Sequence, residues 1–255
     1  MDMFQEERVK KILDFISLET RASVSQLSKK FDVSKVTIRR DLEILSDEGL
    51  ILKTHGGAIL MQEKLSFDIP YKAKSLMNIS EKQKIGREAA NLINDNDIII
   101  LDAGSTTLEI AKRITQKNIT VITNDINIAI EIANNPTIEL IVTGGSQIKG
   151  VYTLVGDEAV EMFKKVHVNK TFLGCDALDL AFGISNRHLF ECKVKLAMID
   201  AALEVVMVCD KSKFDKKVSF HLCSLSRINK IITDNISDKC LNALYENKIE
   251  VIIAK

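Results

Sequence analysis

Between Arg21 and Arg40 the chain places six cations (Arg21, Lys29, Lys30, Lys35, Arg39 and Arg40) against one acid, Asp32. Arg can bond a guanine edge through two parallel hydrogen bonds, while Lys, Ser and Thr hold phosphates. Such a cluster can bind nucleic acid, or it can be the solvated basic end of an ordinary helix. From Met1 to Met61 the charges balance, ten Lys or Arg against ten Asp or Glu. The positive charge is therefore local to this one stretch, as a groove-reading module requires.

A second set of candidates lies further on. Asp102-Ala103-Gly104-Ser105-Thr106-Thr107 combines a glycine for a sharp turn with three hydroxyls and several N–H groups at the start of a helix, which is the chemistry of a phosphate cradle. Ser and Thr are also common N-caps with no ligand. Asn124 and Asp176 can bond hydroxyls, Gly144 and Gly145 let a ligand approach the backbone, and Lys213 can neutralise a phosphate. The plainer readings are an ordinary loop for the glycine pair and a surface lysine for Lys213.

Both sets need elements to position them. For the first, Ser25 to Phe31 reads as a short helix, Asp32-Val33-Ser34 as a tight turn and Lys35 to Glu48 as a second helix with Ser34 as its N-cap. Ile38, Leu42 and Leu45 form its buried stripe, which puts Val36, Arg40 and Glu43 opposite, with Thr37 and Arg39 on the flanks. A preceding helix from about Gln5 to Leu18 carries the stripe Val9, Ile12, Leu13 and Ile16. Gly49 ends the third helix as a C′ residue. Residues 50–54 and 58–61 then read as two strands around His55-Gly56-Gly57, a hairpin placed as a wing after a helix-turn-helix.

For the second set, residues 63–80 contain Pro70 and little periodicity and read as a linker, followed by a helix over 81–93. From Asp97 onward, apolar runs at 98–102, 120–124, 140–145, 170–175, 205–210, 230–234 and 250–254 alternate with helical stretches at 108–115, 126–133, 158–164 and 191–204. Near-continuous apolar strands between helices indicate a mostly parallel sheet covered on both faces. Ligands of such sheets bind at the carboxyl ends of the strands, where the second set of candidates falls.

At 255 residues, with 46% hydrophobic and 27% charged residues and no net charge, the chain has the composition of a globular protein with a sizeable core. Its apolar runs are too short to cross a bilayer, and MDMFQEERVKK has no signal-peptide core, so a cytoplasmic location is expected. Cys175, Cys192, Cys209, Cys223 and Cys240 form no C-x-x-C pair and read as reduced core thiols. The four histidines have no ligand spacing, and neither a metal nor a cofactor is expected.

TIRRDL (37–42) followed by EGLILKTHGGA (48–58) closely resembles the N-terminal signature of the DeoR family of bacterial transcription regulators. LDAGSTT (101–107), TVITN (120–124), TGG (143–145), LVGDEA (154–159), FLGCDALD (172–179), FECKVKLAMI (190–199) and CDKSKF (209–214) resemble that family's effector domain, which is similar to ribose-5-phosphate isomerase. The resemblance implies an α/β protein with an N-terminal winged helix-turn-helix and a C-terminal Rossmann-like sheet that binds phosphorylated sugars. It also places Glu191 and Lys213 where the isomerases keep active-site residues. The chain departs from the pattern at Ala177, Leu196 and Lys211, and the isomerases' glycine run is reduced to Gly183.

The expectation is a non-enzymatic repressor of a sugar-metabolism operon. Residues 1–61 would bind double-stranded operator DNA through Ser25, Ser34, Lys35, Val36, Thr37, Arg39, Arg40 and His55. Residues 62–80 would be a linker. Residues 81–255 would associate as a dimer or tetramer and bind a phosphorylated sugar through Asp102, Gly104, Ser105, Thr106, Thr107, Asn124, Gly144, Gly145, Asp176, Glu191 and Lys213. The alternative is a sugar-phosphate isomerase fused to a DNA-binding head, with Asp176, Glu191 and Lys213 as acid, base and phosphate partners.

Overall fold

The apolar stripes of the first sixty residues close into a small core. A computed structural model of the chain describes residues 4–19, 21–47, 49–60 and 71–255, in two compact units, Met1–Ile79 and Ser80–Lys255. In the first, helices α1 (Gln5–Glu19), α2 (Val24–Phe31) and α3 (Lys35–Asp47) bury Ile12, Leu13, Ile16, Leu27, Ile38, Leu42 and Leu45 together. Strand β1 (Arg21–Ser23) lies between α1 and α2 in sequence, and β2 (Ile51–Thr54) and β3 (Gly57–Leu60) follow α3.

The expected two-stranded wing has three strands, in the order β1-β3-β2 and antiparallel throughout. Gly57 belongs to β3, opposite Ser23, and not to the turn. A Cβ there would lie 2.1 Å from the Ala22 carbonyl oxygen, so only glycine lets β1 come this close. The Val24 N–H then donates to the Gly56 carbonyl at 2.8 Å, tying the hairpin tip to the start of α2.

The turn between α2 and α3 is made by Asp32 in the left-handed region (φ 51°), while Gly49 (φ 70°) ends α3 as expected. Ser23 and Gln26 cap the start of α2 reciprocally. Residues 61–70, which include Pro70 and most of the expected linker, lie outside the described residues. Its remaining part holds a short helix, α4 (Tyr71–Leu76).

The second unit alternates helix and strand: α5 (Ile79–Ala90), β4 (Ile98–Leu101), α6 (Ser105–Ala111), β5 (Thr120–Thr123), α7 (Ile126–Ala133) and β6 (Glu139–Val142). A small hairpin, β7 (Ser146–Gln147) and β8 (Leu154–Val155), precedes α8 (Asp157–Lys164) and β9 (Val168–Leu173). Then come β10 (Ala177–Asp179), β11 (Gly183–Asn186), α9 (Leu189–Ala201), β12 (Ala202–Val208), β13 (Phe220–Cys223), β14 (Lys230–Thr233), α10 (Asp238–Glu246) and β15 (Glu250–Ile253).

Seven strands form one parallel sheet in the order β15-β14-β12-β9-β4-β5-β6. Its side chains alternate between two cores, as the strand period of two requires. Ile100, Ile122, Leu173, Met207 and Ile231 face α8, α9 and α10. Ile99, Leu101, Val121, Phe172, Val206 and Ile232 face α5, α6 and α7. Two features have no counterpart in the sequence pattern: the β7–β8 hairpin and a second, antiparallel sheet, β10-β11-β13. The expected helix over 191–204 ends at Ala201, where the chain turns straight into β12.

Candidate functional site

On the helix-turn-helix unit, α3 presents its N-terminal half to solvent. Lys35, Val36, Arg39 and Arg40 are exposed, with Val36 at 58%. The Ser34 hydroxyl caps the helix, accepting from the Thr37 N–H at 3.1 Å and lying 2.9 Å from the Thr37 hydroxyl. A groove of about 330 Å³ runs between α3 and the wing, and Ser25, Lys35, Arg39 and His55 line it together. Arg40 and Val36 stand outside that groove, on the face opposite the buried stripe. The Glu43–Lys53 pair, 2.6 Å, bridges α3 and β2 in the groove wall.

Asp41 lies in the buried stripe of α3 and is fully covered. Its two carboxylate oxygens accept from Arg8 Nε at 2.6 Å and Arg8 Nη2 at 3.1 Å. The pair falls outside the expectations from sequence, although the spacing holds a signal. Asp41 is three residues from Ile38, on the core side, and Arg8 is four residues before Ile12 in the facing stripe.

On the second unit, the candidates fall at the carboxyl ends of successive neighbouring strands: Lys213 after β12, Asp176 after β9, Asp102 after β4, Asn124 after β5 and Gly144 after β6. A narrow cleft gathers three of them, Asp102, Asn124 and Glu191, with Ala103, Thr153 and Lys195. Lys195 is not among the expected residues. It sits one turn after Glu191 on α9, only 4% exposed, and its ammonium bonds Asp102 Oδ2 and, at 3.1 Å, the Gly174 carbonyl. The Gly174 N–H also donates to Asp102 Oδ2, at 2.9 Å.

Burial works against the Lys195 charge, but Asp102, Glu191 and Asp176 more than offset it and hold the ammonium above its ordinary range. Burial pushes the Asp102 carboxyl up, against the pull of Lys195. Asp125, next to Asn124, caps α7 by accepting from the Asn127 and Ile128 N–H groups at 2.7 and 3.0 Å. Its carboxyl is raised to about 6, chiefly by burial, with the Asp102 charge adding to the rise.

Other expected contacts are engaged elsewhere. Thr107 is fully buried and its hydroxyl donates to the Gly104 carbonyl at 2.8 Å, so it braces the loop from inside. Asp176 forms a buried pair with Arg187 at 3.0 Å. Gly145 (φ 106°) is a packing glycine, since a Cβ there would come 2.5 Å from the Val155 carbonyl oxygen. Gly144 (φ 73°) faces open space. Lys213 lies in a 3-10 turn capped by Asp210. Ser105 and Thr106, both half-buried, open α6 beside the cleft, directly after Gly104.

Residues 8–64 match the DeoR-like helix-turn-helix domain, and residues 77–235 match the DeoR C terminal sensor domain. The chain belongs to the DeoR family. Like its relatives, this DeoR-family chain is a helix-turn-helix transcriptional regulator. It is 35% identical to the uncharacterized regulator YulB of Bacillus subtilis, over 98% of this chain and 96% of that one. It is 34% identical to the transcriptional repressor GlcR of the same organism, over 99% and 98%. It is 32% identical to a putative aga operon transcriptional repressor of Escherichia coli O157:H7, over 97% and 93%. A ribose 5-phosphate isomerase from Plasmodium falciparum is similar over 53% of this chain and 52% of that one, at 17% identity and a TM-score of 0.40. Among the described residues, no helix is long and apolar enough to cross a membrane.

Proposed function

We propose that this DeoR-family regulator is a self-associating repressor of a sugar-metabolism operon, and that a phosphorylated sugar bound at the carboxyl edge of its parallel sheet controls its hold on operator DNA. The cleft at Asp102, Asn124, Glu191 and Lys195 carries the reading: charged and polar, mostly buried groups converge there at the strand ends. Ser105 and Thr106 beside it, with the cation Lys213 at the end of β12 two strands away, supply hydroxyls and charge for a phosphate. Two relatives whose names mark them as repressors, one of them of an operon, support the regulatory role.

The DNA contacts follow from exposure and chemistry. Lys35, Thr37, Ser25 and Ser34 suit phosphates, Arg39 and Arg40 suit base edges, Val36 suits a thymine methyl, and His55 at the wing tip suits the backbone or the adjacent groove. One such head reads few base pairs, so two or more heads on a two-fold symmetric site are required. The ligand then acts by binding one arrangement of the assembly more tightly than another.

Fluorescence anisotropy on the DNA upstream of the regulator's own coding region, at fixed salt, tests this. Nanomolar binding that shifts at least fivefold with a sugar phosphate is the expected result. Equal affinity with and without every sugar phosphate tried would remove the effector claim. Turnover of such a compound above buffer would replace the sensor by an enzyme.

A further inference from the structure

Two atoms at the cleft stand out. Asp102 Oδ1 and Asn124 Oδ1 are buried and have no hydrogen-bond partner among the described residues. Each residue is 1% exposed, and each lines the cleft. Their other polar atoms are used: Asp102 Oδ2 by Lys195 and the Gly174 N–H, and Asn124 Nδ2 by the Leu154 carbonyl at 3.0 Å. A buried acceptor left without a donor forgoes the hydrogen bonds it had in water, so a group that carries donors fits there.

Lys195 adds a third polar direction. Its ammonium has three N–H donors; Asp102 and the Gly174 carbonyl take two. These three groups therefore offer two acceptors and one donor, beside the Glu191 carboxylate that also lines the cleft. A phosphate, all acceptors and negative, does not fit that register, and it would meet the Asp102 and Glu191 carboxylates. A hydroxyl does fit, because one O–H can donate and accept at once.

We propose that Asp102 Oδ1, Asn124 Oδ1 and the third N–H of Lys195 form a diol-reading subsite, in which two adjacent hydroxyls of a carbohydrate donate to the two oxygens and one of them accepts from Lys195. The inference rests on the reading of this unit as a carbohydrate sensor, and it assigns the polyol end of the ligand to the β4 and β5 strand ends. Any phosphate is thereby directed away from Asp102. Both acceptors are covered in this state, so the cleft has to open for a ligand to reach them. The wall at Thr153 belongs to the small β7–β8 hairpin and not to the central sheet.

Calorimetric or thermal-shift titration of the full-length protein tests the subsite. The probes are glucose 6-phosphate, ribose 5-phosphate and sorbitol 6-phosphate, their unphosphorylated forms, analogues of each lacking one hydroxyl, and inorganic phosphate. Loss of one hydroxyl of the recognised pair is expected to weaken binding tenfold or more. In Asn124→Ala the same loss is expected to cost less than twofold, because the acceptor it served is gone.

If free sugars bind as tightly as phosphorylated ones with the same hydroxyl dependence, the subsite stands and the phosphorylated-effector reading falls. If phosphorylated compounds bind but every single-hydroxyl analogue binds equally well, the subsite is overturned and that reading stands. Failure of all the probes, inorganic phosphate included, overturns both.

Discussion

Arg8 of α1 and Asp41 of α3 meet as a two-bond ion pair in the core of the helix-turn-helix unit, with Asp41 fully buried and Arg8 8% exposed. Removing one partner strands the other charge, at a cost of about 3–5 kcal/mol. Asp41→Ala is expected to lower the stability of this unit by that order in chemical denaturation. The paired replacement Arg8→Met with Asp41→Leu is expected to return most of it, since apolar groups of similar volume replace buried ion pairs at little cost. Equal losses in the single and paired variants would show that the pair does not act as a unit.

Gly57 gives a second test. Gly57→Ala places a methyl 2.1 Å from the Ala22 carbonyl oxygen, which is backbone and cannot swing away. Forced overpacking costs about 1–3 kcal/mol, and here it also parts β1 from β3. Lower thermal stability together with weaker DNA binding is the expected result, while Gly56→Ala, where a Cβ meets nothing within 4 Å, is expected to be far milder. Similar behaviour of the two variants would contradict the close approach of β1.

On α3, Arg40→Ala and Arg39→Ala are each expected to cost about 1–3 kcal/mol of operator affinity and to relax specificity at one base position. Lys35→Ala is expected to weaken binding to all sequences alike and to flatten the salt dependence by about one counterion. Binding isotherms over a range of salt concentrations separate the two kinds of residue. An Arg40 variant that bound like the parent would turn the exposed face of the helix away from the base edges.

Much of this architecture was legible from pattern alone, because each central strand is a short apolar run and the alternation of strand and helix indicates a mostly parallel sheet, although the order of its strands did not follow from that pattern. What escaped is held by contacts between distant parts of the chain. Arg21-Ala22-Ser23 has no strand period of its own and becomes β1 because Gly57 leaves room for it. Lys195 carries no ligand signal of its own in the sequence, and only the fold brings Asp102 across to it. Thr107 and Asp176 look like ligand-binding groups in sequence, but the folded chain uses them for Gly104 and Arg187.

Asp125 makes a pH prediction with a definite sign. Its carboxyl is raised to about 6 in the folded protein, against about 3.9 in an unfolded chain. The folded state therefore holds a proton that the unfolded state has lost between those values. The group's stabilising contribution is full below about pH 4 and is lost as the pH rises through about 6. Asp125→Asn keeps a side-chain oxygen to cap α7 and abolishes this titration. The stability of the variant relative to the parent is expected to rise by up to about 3 kcal/mol between pH 4 and pH 8, at about 1.4 kcal/mol for each pH unit that separates the folded and unfolded values. A constant difference across that range, read from denaturant unfolding at several pH values, would place the Asp125 titration elsewhere.

The clamp at Gly56 and Gly57 also bears on how this head measures DNA. The middle strand of the wing is held on one side by the segment that opens α2 and on the other by the strand that leaves α3. The span from helix to wing tip is thereby set by backbone hydrogen bonds on both sides of the middle strand. If helix and wing both contact DNA as proposed, a duplex whose local groove width departs from that span is expected to lose both sets of contacts together. On the DNA contacts proposed above, width becomes a gauge applied alongside the bases, and a site of matching letters on a stiffer or narrower stretch of DNA is expected to bind more weakly for its shape.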